Sequence, residues 1–148
     1  MTVRLAISGF GRIGRMVLRA LVETGRDDVE IVLINTPGPV ETSAHLYEFD
    51  SIHGRAHGSV SYGEGWVDVG RGRIAMTHER DPAMIPHVDQ GVDVVLECSG
   101  RFNDRDSSAA HLRAGAKRVL VSAPCRNADA TIVYGVNHDE ITADQLVV

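Results

Sequence analysis

Short apolar runs alternate with helical stripes along this 148-residue chain. Val3, Leu5, Ala6 and Ile7 predict a buried strand that stops at Gly9. Ile13, Met16, Val17, Ala20 and Leu21 then form one stripe, with Arg12, Arg15 and Arg19 off it. That spacing predicts a helix from Arg12 to about Thr24, closed by Gly25. Val29 to Ile34 predicts a second buried strand, so residues 3–34 form a βαβ unit with parallel strands. Val40 to Phe49 reads as a short helix. From Gly58 to Thr77, short β-type pieces alternate between glycines, which predicts a hairpin or small antiparallel sheet inserted in the βα alternation. Pro82 suits the first position of a helical turn. Val92 to Cys98 predicts a strand closing on Ser99-Gly100. Asp104 or Asp106 then caps a helix to Ala114, with Ala109, Ala110 and Leu112 inward and Gly115 ending it. Arg118–Val121, Thr131–Tyr134 and Leu146–Val148 complete the strands. The sum is an α/β fold: a doubly wound, mostly parallel sheet with helices on both faces and a small antiparallel insert, in one domain over residues 1–148.

Composition narrows the function. A hydrophobic fraction of 43% with 24% charged residues is ordinary for a globular domain. The net charge of −5 argues against a nucleic-acid partner and against an anionic membrane surface. Lys117 is the sole lysine among 15 basic residues. No apolar run approaches the ~20 residues of a membrane span, and no signal-peptide pattern opens the chain. Cys98 and Cys125 lack metal-ligand spacing, so no metal is expected and free thiols in a cytoplasmic protein are the default.

The chemistry gathers at Gly9, Gly11 and Gly14, a G-x-G-x-x-G set between strand and helix. Gly9 permits a tight turn, Gly11 lets backbone approach a pyrophosphate, and Gly14 lets helix and strand pack closely. The helix N-terminus adds free N–H groups and a partial positive charge. A dinucleotide site normally carries an acidic residue at the end of the second strand. Here Asn35-Thr36 stands there, and no carboxylate comes before Glu41, so the repulsion that excludes NADP is missing. Ser99 and Gly100, at a strand's carboxyl end, are placed to line such a cleft. Asp50 and His53 are expected to be hydrogen-bonding anchors rather than an acid–base pair, and His138 and Asp139 to be surface or capping residues. The glycine-rich insert is no phosphate loop, because no Gly-Lys-Ser/Thr follows it.

Seven blocks then stand in order: Gly9-Phe10-Gly11-Arg12-Ile13-Gly14-Arg15, Asp50-Ser51-Ile52-His53-Gly54-Arg55, Glu79-Arg80-Asp81-Pro82-Ala83, Gly91-Val92-Asp93-Val94-Val95-Leu96-Glu97, Ala114-Gly115-Ala116-Lys117-Arg118-Val119, Ser122-Ala123-Pro124 and Gly135-Val136-Asn137-His138-Asp139. Over essentially its whole length the chain resembles the N-terminal, cofactor-binding half of phosphorylating glyceraldehyde-3-phosphate dehydrogenases. The resemblance implies that Arg12 and Ile13 present N–H groups to the pyrophosphate of NAD or NADP. It places Asn35 and Thr36 at the adenosine ribose, Arg80 beside the adenine, and Ser99, Gly100 and Ser122 along the run toward the nicotinamide. It also implies a homotetrameric, glycolytic full-length enzyme.

Three departures accompany the resemblance. Ser8 replaces the family's usual Asn in the opening turn. Thr36 holds the position of its ribose-binding Asp, which puts strict NAD preference in doubt. The family's catalytic cysteine is expected beyond Val148, and neither Cys98 nor Cys125 sits in that motif. No catalytic residue is therefore assigned here, and the 148 residues alone are expected to bind nucleotide without dehydrogenase activity. Without the family's returning C-terminal helix they are also expected to expose apolar surface. Erythrose-4-phosphate dehydrogenase and a stand-alone nucleotide-binding module are the alternatives.

Overall fold

The computed structural model describes residues 2–148. Its elements are β1 (Val3–Ser8), α1 (Arg12–Thr24), β2 (Val29–Asn35), α2 (Val40–Glu48), β3 (Phe49–Asp50), β4 (Gly54–Arg55), β5 (Ser61–Gly63), β6 (Trp66–Asp68), β7 (Arg73–Thr77), β8 (Val94–Glu97), α3 (Arg105–Ser108), α4 (Ala110–Arg113) and β9 (Arg118–Val121). Seven strands form one sheet in the order β5-β6-β7-β2-β1-β8-β9. The pairs β1–β2, β1–β8, β2–β7 and β8–β9 are parallel. The antiparallel insert extends this sheet: β7 lies parallel to β2 on one side and antiparallel to β6 on the other.

Each face of the sheet buries its own core. Ile7, Ile31 and Ile34 pack with Leu18 of α1 and Ala44 and Tyr47 of α2. Ala6, Leu33, Val95 and Val119 pack on the other face with Ile85 and with Leu112 of α4. Helices thus cover both faces, as a doubly wound sheet requires.

The structure corrects the sequence reading in four places. Arg19 is 4% exposed, not on a solvent face, while Ile13 is 49% exposed. The Arg19 guanidinium leaves the core face of α1 to donate to the carbonyls of His53, Gly54 and Arg55 and to Glu23. It remains buried because those acceptors satisfy it. Phe49 belongs to a two-stranded ladder with Arg55, not to α2. The helix expected from 104 to 114 breaks at Ala109 into two single turns, and Asp104, not Asp106, caps the first by accepting from the Ser107 N–H at 3.0 Å and its hydroxyl at 2.7 Å. Thr131–Tyr134 forms no strand. The Asn137 side chain takes its backbone groups, bonding the Val133 N–H and the Thr131 carbonyl, and Tyr134 is left 88% exposed. At the end of the chain, Val147 makes a single parallel bridge to Val119 and is fully buried.

Candidate functional site

A cleft of about 210 Å³ opens beyond the carboxyl ends of β1, β2 and β8, where Ser8, Asn35 and Cys98 stand. Here β1 has β2 on one side and β8 on the other, so the strand order reverses. Open α/β sheets bind ligands at such a place. A larger hollow, about 500 Å³, lies around Arg4, Glu30, Trp66 and Arg73. Two of its arginines already have partners: Arg4 pairs with Glu30 at 2.6 Å, and the Arg73 guanidinium stacks 4.1 Å above Trp66.

The turn after β1 is held from several sides. Gly9 takes φ +92°, and a Cβ there would lie 2.5 Å from the backbone of Ser99. Only glycine fits against that neighbouring loop in that conformation. The Gly9 N–H donates to the Asn35 carbonyl at 2.8 Å, and Arg15 donates to the Phe10 carbonyl at 2.9 Å. A Cβ on Gly14 would overlap the Gly9 carbonyl oxygen and crowd Ile7, so α1 starts as close to β1 as atoms permit. Gly11 behaves oppositely. Its backbone is extended, and a Cβ there would meet nothing within 4 Å. Among the described residues no side chain caps α1, and its backbone bonding starts with the Arg15 N–H on the Gly11 carbonyl at 3.1 Å. The N–H groups of the first turn are therefore left for a ligand. Open space at Gly11 beside an uncapped helix start fits a pyrophosphate.

The other end of the cleft is built differently. The Asn35 amide accepts from the Thr77 hydroxyl and the Glu79 N–H and donates to the Glu79 carbonyl, all at 2.9 Å. The Asn35 side chain ties the end of β2 to the segment after β7 and is not free for a ribose. Thr36 is tied through its backbone, to the Thr77 carbonyl and to His78 Nδ1. Its hydroxyl remains for a ligand.

Of the residues expected at the site, Gly9, Gly11, Asn35, Thr36, Arg80 and Ser99 line the cleft together. Arg12, Ile13 and Gly14 form the first turn of α1 at its edge. Gly100 and Ser122 are outside the lining residues; Ser122 donates its N–H to the Glu97 carbonyl at 3.0 Å. Phe10, Pro37, Arg101 and Phe102 also line it, although only Phe10 sits in a recognisable motif. Burial pushes the Cys98 thiol up, so it remains protonated. Asp50 accepts from the Ile52 N–H and from both the N–H and ring of His53. Those bonds hold its carboxyl far below the usual range, which makes it an anchor.

Behind the cleft lies a polar group the sequence reading passed over. Glu97 is 1% exposed and accepts from the Ser99 N–H at 2.7 Å and from the Ser99 hydroxyl. Its second oxygen meets His111 Nε2 at 2.8 Å, and His111 Nδ1 meets His87 Nε2 at 3.1 Å. A carboxylate near the end of the apolar run V-V-L-E, and a histidine among the alanines of α4, were the available signals.

The family model for the NAD-binding domain of glyceraldehyde 3-phosphate dehydrogenase matches residues 3–105. Across its whole length the chain is 60% identical to a glyceraldehyde-3-phosphate dehydrogenase of Xanthobacter flavus and 61% identical to one of Cereibacter sphaeroides. It is 42% identical to glyceraldehyde-3-phosphate dehydrogenase 2 of Bacillus subtilis. The chain spans 44% of the first two relatives and 43% of the third. Among the described residues no helix is long and apolar enough to cross a membrane.

Proposed function

This chain belongs to the glyceraldehyde 3-phosphate dehydrogenase family through its NAD-binding domain, and from that premise we propose how its cleft holds the cofactor. The pyrophosphate rests on the N–H groups of Arg12 and Ile13, where Gly11 leaves room. Asn35 shapes the adenosine end, the Thr36 hydroxyl bonds the ribose, and Arg80 lies beside the adenine. Ser99, with Gly100 and Ser122 beyond it, lines the way to the nicotinamide. The uncapped start of α1 beside the open space at Gly11 is the observation that carries this reading. NAD, when bound, supplies a hydride acceptor, and the residues of this chain bind and orient it.

The absence of a carboxylate at Thr36 supports acceptance of NADP as well as NAD. The relatives' names favour glyceraldehyde 3-phosphate over erythrose 4-phosphate as the substrate of the whole protein. For that protein the reading includes oxidation with phosphate to 1,3-bisphosphoglycerate, a cytoplasmic homotetramer and no nucleic-acid partner. We assign its acylating thiol to neither Cys98 nor Cys125: neither sits in the family's catalytic-cysteine motif, and the burial that raises both disfavours the thiolate that attacks.

Calorimetric titration of the 148-residue chain with NAD and NADP tests the cleft. The expected result is binding of both, with affinities within about tenfold of each other, ~1.4 kcal/mol. Thr36→Asp should retain NAD and lose NADP. Failure of wild type to bind either nucleotide overturns the assignment. Mixed with aldehyde, phosphate and NAD, the same chain should produce no NADH.

A further inference from the structure

Glu97, His111 and His87 are 1%, 0% and 1% exposed, and together they form one buried chain reaching the cleft at Ser99. Its hydrogen-bond polarity follows from chemistry. The Glu97 carboxylate only accepts, so His111 presents Nε2–H to it. A neutral His111 then accepts at Nδ1, which requires His87 to donate from Nε2. That leaves His87 Nδ1 a bare acceptor, and among the described residues it is buried with no partner. The arrangement is consistent only while both rings are neutral. A proton added to the pair goes either to His87 Nδ1 or, if the His87 tautomer changes, to His111 Nδ1. Either way His87 carries an N–H at Nδ1, where none of the described residues receives it.

Other charges do not intervene. On the packed elements Asp89, Arg113, Lys117 and Arg118 are exposed, with Lys117 on Asp93 at 2.6 Å. Arg105 of α3 is held by Asp129 at 2.7 Å. Phe102 sets its edge against the His111 ring, 6.5 Å between centroids. The free end of the chain is Ser99, the residue whose backbone Gly9 touches, so one carboxylate steadies both loops that frame the cleft.

We propose that His111, backed by His87, is a positioning residue of the cofactor cleft: it holds Glu97 so that the carboxylate fixes Ser99. This rests on the cleft being the NAD site. Desolvation, and then the charge of His111, lower the pKa of His87 to about 4. The Glu97 carboxyl is also lowered; burial opposes this, but the bonds from His111 and Ser99 outweigh it.

The test combines NAD titration by calorimetry at pH 7.5 with the Ser99 amide resonance in the nucleotide-free chain. His111→Ala should weaken NAD at least fivefold at pH 7.5, and His111→Gln, which keeps a donor toward Glu97, should restore it to within twofold. The Ser99 amide resonance should shift in His111→Ala and return to its wild-type position in His111→Gln. Should His111→Ala not fold, His111→Leu, which fills similar space without a donor, takes its place. Wild-type affinity in the variant lacking the donor, or no recovery in His111→Gln, would overturn the proposal. If wild type binds no NAD at all, the cofactor reading fails and the Ser99 resonance decides the positioning role. A shift in His111→Ala that His111→Gln reverses supports that role, and a resonance blind to both substitutions overturns it.

Discussion

The two ends of the cleft use their polar groups in opposite ways. At the start of α1 the first-turn N–H groups have no capping side chain, and Gly11 faces open space. At the end of β2 the Asn35 amide is committed to three bonds within the protein. One end is left open for a ligand, and the other holds the wall against which a ligand lies. Lining a cleft and binding what enters it are therefore separate properties. Asn35 should report on folding, and Gly11 on affinity.

The largest effect should come from Gly9→Ala. The left-handed backbone costs ~1–2 kcal/mol for any side chain, and the overlap with Ser99 adds ~1–3 kcal/mol. Urea unfolding should show a loss of about 3 kcal/mol or more, and a near-neutral result would mean the turn can move. Asn35→Leu comes next. It strands the Thr77 hydroxyl and both backbone groups of Glu79, which should cost ~2–4 kcal/mol. A variant with native stability but weakened NAD binding would make Asn35 a ligand contact and break the comparison.

Buried His87 gives a third, pH-dependent effect of about 3 kcal/mol. His87 is neutral in the fold down to about pH 4, whereas an unfolded histidine takes a proton below 6.5. Between those values the unfolded chain binds more protons, so stability falls as the pH falls. Its contribution is complete above pH 6.5 and is lost toward pH 4. His87→Phe should be less stable at neutral pH yet lack this slope. Parallel stability–pH curves for the two proteins would refute it.

Much of the fold was legible in the chain. The runs Val3–Ile7 and Val29–Ile34, with a helical stripe between them, specify a βαβ unit because period and length agree. Gly9, Gly11 and Gly14 marked the site because strand, turn and helix stood in order around them. The glycines between Gly58 and Gly72 carried no such frame and form turns of an edge ribbon. Arg19 was misread because an arginine in a helix looks solvated until carbonyls from a distant loop reach it. Glu97, His111 and His87 were missed for the same reason: their partners lie 14 and 24 residues apart in sequence. Thr131–Tyr134 has strand composition, but a local side chain claims its backbone first.

Gly11→Val tests the central claim most directly. The backbone at Gly11 is extended and the space beside it is empty, so valine should fold without strain. It would, however, fill the approach to the helix start. Calorimetric titration should find NAD affinity reduced at least tenfold, with a melting temperature close to wild type. Undiminished NAD binding by a well-folded Gly11→Val chain would show that the dinucleotide does not lie on the start of α1.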